Sequence, residues 1–277
     1  LDKRRGEVKF SFVLSTQPTR FEAVAFAPDF EANVARLAAL GYDGIELAVR
    51  EPAVLDRAGV KRIVDAQRLQ VPAFGTGQAY VEEHLSFTDP DASSRARAVE
   101  RIASHIALAR EFNALVILGL VRGTMQSNVS RDQAQAWMTD ASKTVAHAAR
   151  THGIRLAIEP LNRYETNLLN TVAETRAAID EIGADNVGIL FDTFHANIEE
   201  PQMEASLRAC GARLFHVHVA DSNRRYPGAG HIDFARIIAT LREMNYTGWV
   251  SAEILPQPNV LHAAEQTMRT IKPLLQD

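Results

Sequence analysis

The chain has 277 residues, 46% of them hydrophobic and 23% charged, an ordinary globular composition long enough to bury the core of one barrel-sized domain. A net charge of −4 offers no positive field to a phosphodiester backbone, so nucleic acid is not expected as a partner. The single cysteine, Cys210, rules out an internal disulfide and a thiolate metal cluster, which leaves oxygen and nitrogen to hold any metal. No apolar run approaches ~18 residues, and the charged opening LDKRRGEV has no signal-type core behind it. A cytoplasmic protein without membrane contact is expected.

In chain order, KFSFVLS (Lys9–Ser15) reads as a first strand. Phe30, Val34, Leu37 and Leu40 then recur at helical spacing before Gly41, giving a helix over Asp29–Leu40. GIELAV (Gly44–Val49) is the second strand and Pro52–Leu69 the second helix, with proline in the first turn, where a missing N–H is tolerated. VPAFG closes a third strand at Gly75. The run GTGQAYVEEHLSFTDPD after it is long for a strand-to-helix connection and is expected to form a loop that roofs a site. Helices at Arg95–Phe112 and Ser130–Thr151 bracket a fourth strand, Leu115–Leu120.

The second half repeats the rhythm, with strands at Gly153–Glu159, Asn186–Asp192, Arg213–Ala220 and Gly248–Glu253. Helices fall near Thr171–Ile182, Pro201–Cys210, Asp233–Met244 and Asn259–Leu275. Eight strands alternating with eight helices, without a linker, predict an α/β fold, a single-domain (β/α)8 TIM barrel over residues 1–277. The first strand-to-helix turn lacks G-x-G-x-x-G, which argues against an open dinucleotide-binding sheet.

Strands of a parallel barrel are buried on both faces, yet the last four end at or near Glu159, Asp192, His218 and Glu253. A buried carboxylate costs several kcal/mol unless it is paired or binds a metal. C-terminal strand ends converge on one face of a barrel, so these four residues are expected to hold one divalent cation there. Oxygen-rich ligation with one imidazole suits Mn²⁺ first, with Mg²⁺, Co²⁺ and Zn²⁺ compatible. Around them Glu165, His195 and Arg224 supply donors and acceptors suited to a polyhydroxylated small molecule. With Glu159 and Glu253 facing each other across the cation, one takes a proton from a carbon beside a carbonyl and the other delivers one, giving epimerisation. One base serving neighbouring carbons gives aldose–ketose or hydroxypyruvate-type isomerisation instead, and the residues alone leave both open.

IEPLNRYET, DTFHANIEE, HVADSNRRYPGAGHIDF and the strand ending at Glu253, in this order and at these separations, resemble the motifs of one family. It is the D-tagatose 3-epimerase-like sugar epimerases and isomerases of the xylose-isomerase-type barrel superfamily. The resemblance implies Glu159, Asp192, His218 and Glu253 as ligands of one divalent metal, with Glu159 and Glu253 as the catalytic acid/base pair. It implies Glu165, His195 and Arg224 as substrate-binding residues. LSTQPTRFEAVAF, GTGQAY and LGLVRG look closest to the 5-keto-L-gluconate epimerase branch, so the resemblance spans about Lys9–Leu275 and implies a metal-dependent epimerase of a ketose or keto sugar acid. Tagatose-type enzymes carry a Gly-Glu-Ala-Asn-like run where this chain has Ala220, Asp221, Ser222 and Asn223, a departure that bears on the substrate and not on the metal ligands. Exposed helices of such barrels allow a homo-oligomer. An endonuclease-IV-like hydrolase on the same barrel needs a three-metal cluster rich in histidine and a basic face; only His195, His216, His218 and His231 lie near the expected mouth, and the chain is acidic.

Other residues keep two readings. Arg122, ending the fourth strand, either pairs with a substrate carboxylate or caps a helix. Glu46, inside the second strand, is either structural or part of the site. His216 lies on the same side of its strand as His218 but deeper, which suits a supporting or packing role. Trp137 and Trp249 read as core aromatics, and two glycines in GTGQAY are a weak signal for a phosphate cradle.

Overall fold

The computed structural model describes residues 8–26 and 29–276, so the charged opening over residues 1–7 lies outside the described residues. Its strands are β1 (Lys9–Ser15), β2 (Gly44–Ala48), β3 (Ala73–Gly75), β4 (Leu115–Leu118), β5 (Leu156–Ile158), β6 (Val187–Asp192), β7 (Leu214–His218) and β8 (Trp249–Ala252). They pair in parallel and in sequence order, and β1 pairs in turn with β8, Phe12 opposite Ala252, so the sheet closes into the expected barrel. A two-residue strand, Ala25–Phe26, runs beside the end of β1 outside the ring.

Alternation sorts the side chains of each strand. Phe12, Leu14, Ile45, Leu47, Phe74, Val116, Ile158, Ile189 and Val217 face outward and build the main core with the surrounding helices. Ala73, Leu115, Ile117, Ala157 and Leu190 form a separate small cluster inside the ring. Glu159 lies two residues beyond Ala157 and Asp192 two beyond Leu190, so the period that packs the interior also turns both carboxylates inward. Between β6 and β7 the register slips: Ile189 opposes Leu214, but Leu190 opposes His216. The skipped Phe215 packs on the inner cluster. Beyond this bulge His216 and His218 both face inward, where each meets Glu46 of β2 from across the ring.

The helices are α1 (Phe30–Leu40), α2 (Arg57–Ala66), α3 (Gly77–Glu83), α4 (Ala92–Phe112), α5 (Arg131–Thr151), α6 (Val172–Ile182), α7 (Thr193–Glu199), α8 (Met203–Cys210), α9 (Phe234–Glu243) and α10 (Val260–Gln276). Two of them, α3 and α7, are additions to the expected set. The GTGQAY run is therefore not the loop expected but a short helix that starts directly after Thr76. The second helix starts later than its proline implied, because Asp56 accepts from the Gly59 N–H at 2.9 Å and caps α2 there, leaving Pro52–Val54 as one 3-10 turn. Trp137 and Trp249 are half-buried rather than core, with Arg95 stacked 4.1 Å from one ring centre and Lys9 5.3 Å from the other. No described helix is long and apolar enough to cross a membrane.

Candidate active site

Closure of the barrel brings Glu159, Asp192, His218 and Glu253 together at the C-terminal mouth, one ligand-type atom from each lying within 4.8 Å of the others. All four are buried. His218 Nδ1 lies 3.8 Å from Glu159 Oε1, 3.7 Å from Asp192 Oδ2 and 3.8 Å from Glu253 Oε2, too far for hydrogen bonds. Ligand bonds of about 2.1 Å around one cation place neighbouring ligand atoms about 3–4 Å apart, so the spacing fits one divalent ion. Glu159 Oε1 and His218 Nδ1 are buried without any hydrogen-bond partner, a costly state that a cation would relieve.

The electrostatics agree. Burial, then the nearby charge of Glu253, lifts the Glu159 carboxyl well above the usual range. Burial likewise raises Asp192 and pushes Glu253 up to about 7. Carboxylates this crowded repel each other until a positive ion reverses the local balance.

Three of the four residues are positioned by a further contact. Asp192 ends β6 and caps α7, its Oδ1 accepting from the N–H groups of Phe194 at 2.6 Å and His195 at 3.4 Å, which leaves Oδ2 for the centre. His218 Nε2 donates to Glu46 at 3.0 and 3.2 Å, which leaves Nδ1 toward the three carboxylates. Burial alone would lower His218, but the Glu46 carboxylate overrides it and holds the imidazole up at about 10. Glu159 is held through its backbone, whose carbonyl accepts from Arg122 Nε at 3.2 Å. Arg122 thus serves neither expected purpose. It is 1% exposed and spends its other donors on the carbonyls of Leu168 and Leu169, tying the loop after β5 to the end of β4.

Glu165, His195 and Arg224 line a narrow pocket beside this centre together with Glu159 and Glu253, and Phe21, Ile117, Leu120 and Leu161 supply apolar wall. Thr76 and Gln78 line it from the start of α3, so the GTGQAY run does border the site, as a helix. Arg224 donates to Glu165 Oε1 at 2.7 Å, lies 3.8 Å from Glu253 and stacks 4.9 Å from the Phe194 ring centre.

Sequence reasoning missed Asn162. It is 1% exposed, and its amide donates to Glu165 at 2.9 Å and to His195 Nδ1 at 2.7 Å, where its backbone N–H also points at 3.2 Å. Burial, then Arg224, keeps His195 well below its ordinary value and hence neutral. With Nδ1 accepting twice, the one ring hydrogen sits on Nε2, which has no partner and lies 3.8 Å from Glu159. His195 is therefore a hydrogen-bond donor toward the pocket. For Asn162, its place in the same motif as Glu165, three residues earlier, was the available signal.

Within the departing run Ala220–Asn223, Asp221 has a structural contact set. Asp221 is buried, and its carboxylate accepts from the N–H groups of Ser222, Gly228 and Ile232, closing the loop that presents Arg224.

The pattern of the xylose isomerase-like TIM-barrel family fits residues 34–274. The chain belongs to that family. Among relatives, it is 33% identical over 247 residues to an L-ribulose 3-epimerase of Methylomonas sp. (strain DH-1), with 85% of each chain covered. It is 32% identical over 236 residues to a D-psicose 3-epimerase of Agrobacterium fabrum, covering 81% of this chain and 78% of that one. A crystal structure of a D-allulose 3-epimerase from Methylomonas sp. matches with a TM-score of 0.82 at 26% identity, covering 97% of this chain and 98% of that one. Within the xylose isomerase-like barrels the chain is thus a D-tagatose 3-epimerase-like member, an enzyme of the carbohydrate epimerase type.

Proposed function

We propose that the chain is a divalent-metal-dependent epimerase of a ketose, inverting a carbon next to the carbonyl by proton transfer between Glu159 and Glu253. The observation that carries this reading is the convergence of two buried glutamates, from the ends of β5 and β8, on a single cluster in which Glu159 Oε1 and His218 Nδ1 lack hydrogen-bond partners. Glu159, Asp192, His218 and Glu253 would hold the ion, Mn²⁺ being the first candidate. When bound, such an ion supplies Lewis-acid stabilisation of the negative charge that builds on the sugar's oxygens.

The chain's own groups do the rest. Glu159 and Glu253 come from β5 and β8, so a sugar carbon between them presents one face to each. One carboxylate removes the proton and the other returns one to the opposite face, a contribution of about 10²–10⁴-fold for general acid–base groups. His195 Nε2–H donates to a sugar oxygen, and Arg224, anchored by Glu165, orients hydroxyls. Arg224 is the one guanidinium bordering the pocket among the described residues, and Glu165 already pairs with it. A sugar carboxylate would have to compete for it, which favours a neutral ketose over a keto sugar acid. The relatives named above act on ketoses.

The test is incubation of metal-loaded protein with a panel of ketoses and keto sugar acids in D₂O, read by NMR. Deuterium at the inverted carbon of a ketose, lost on chelation and restored by Mn²⁺, is expected. Full activity in a metal-free sample would end this reading, and turnover of keto sugar acids alone would overturn the substrate assignment.

A further inference from the structure

We infer that Glu46 and His216 form a buried support that decides which ring nitrogen of His218 faces the three carboxylates, and so sets the affinity of the centre for a divalent cation. This rests on the cation-binding reading above. Glu46 lies on β2, wholly buried, 170 and 172 positions from the two histidines it meets. No Lys or Arg forms an ion pair with it among the described residues; its partners are His216 Nε2 at 2.7 Å and His218 Nε2 at 3.0 and 3.2 Å. A buried carboxylate only accepts, so both imidazoles must carry a hydrogen on Nε2. For His218 that leaves Nδ1, the nitrogen 3.7–3.8 Å from Asp192, Glu159 and Glu253, as the one free to ligate.

His216 has a different part. Its Nδ1 is buried and meets nothing, so donation to Glu46 is its single polar contact. By holding Glu46 Oε2 at 2.7 Å it fixes the carboxylate so that Oε1 stays on His218. Neither Glu46 nor His216 borders the substrate pocket, so both are positioning residues rather than catalytic ones.

The support makes a prediction that general damage to the fold does not. Glu46→Gln keeps the shape but turns one oxygen into an NH₂, which meets an imidazole N–H whichever way the amide lies. The two histidines then compete for one acceptor, and His218 keeps its ligating nitrogen only when it wins. Mn²⁺ affinity of the full chain, measured by calorimetry at fixed pH, should weaken about 10–100-fold, the usual cost of losing such a support. A Co²⁺-loaded sample should lose absorption in parallel.

Adding His216→Phe removes the competitor and gives the amide oxygen to His218 alone. Glu46→Gln/His216→Phe should therefore bind Mn²⁺ more tightly than Glu46→Gln, a sign that additive damage cannot produce. Should the double variant fail to fold, Glu46→Asp, which keeps the charge but draws the carboxylate back from His218, should bind at least about 10-fold more weakly than wild type. Wild-type affinity in Glu46→Gln or Glu46→Asp, or a double variant weaker than the single one, would overturn the inference alone. A wild-type chain that binds no divalent cation would instead overturn the cation-binding reading on which it stands.

Discussion

Gly119 is a sensitive small residue of the site, because it directly follows β4 and lies against the carboxylate of Glu159. A Cβ built on it falls 2.8 Å from Glu159 Oε2, well inside ordinary van der Waals contact. Glu159 cannot retreat freely: its backbone carbonyl is held by Arg122 and its side chain is buried beside Glu253 and His218. In Gly119→Ala the carboxylate must therefore swing aside by roughly half an ångström, and since a 1 Å misplacement can cost 10²-fold, a loss of about 10–30-fold in kcat is expected. That corresponds to about 1.4–2 kcal/mol at the transition state. The fold should be nearly unaffected, because the displaced atoms are the end of one side chain. Gly75→Ala is the internal control: it borders the same pocket, but its Cβ would meet Ala48 at 3.8 Å, an ordinary contact, so near wild-type turnover is expected. Steady-state kinetics with Mn²⁺ titrations on both variants make the comparison. Equal kcat and metal affinity in wild type and Gly119→Ala would refute a tightly placed Glu159.

Further perturbations separate the roles. Glu159→Gln and Glu253→Gln should each lose at least ~10³-fold in epimerisation, while the variant with one working base still exchanges substrate hydrogen with D₂O without inversion; near wild-type epimerisation in both would assign the proton to another group. Asn162→Asp should place an acceptor against His195 Nδ1 and a like charge beside Glu165, raising KM about 10-fold or more while Mn²⁺ affinity stays within about 3-fold; a loss confined to metal binding would contradict the donor role of His195. Binding of the cation must displace a proton from Glu253, held at about 7, and from His218, held at about 10. Mn²⁺ affinity should therefore rise from pH 6 to pH 8 with net proton release, and calorimetry in buffers of different ionisation enthalpy would expose a pH-independent affinity as the contrary result.

The sequence was explicit about the barrel and about the four residues that gather at its mouth, Glu159, Asp192, His218 and Glu253, because both follow from local rules. Buried parallel strands write themselves as apolar runs, and a carboxylate or imidazole closing such a run is conspicuous against them. Alternation then settles which way it points, as Glu159 follows Ala157 and Asp192 follows Leu190. What stayed hidden depends on who meets whom across the ring. Glu46 could be read as structural or as part of the site, and His216 as supporting or packing, but that the two meet was not visible until closure set β2 across from β7 and the bulge at Phe215 turned both histidines inward. Arg122 could be read two ways because a guanidinium at a strand end has the same local signature whether it faces a ligand or, as here, three backbone carbonyls. Asn162 was overlooked for a related reason: its place three residues before Glu165 was a signal, but which nitrogen of His195 keeps its hydrogen is decided by contacts of 2.7 and 3.2 Å to a residue 33 positions away.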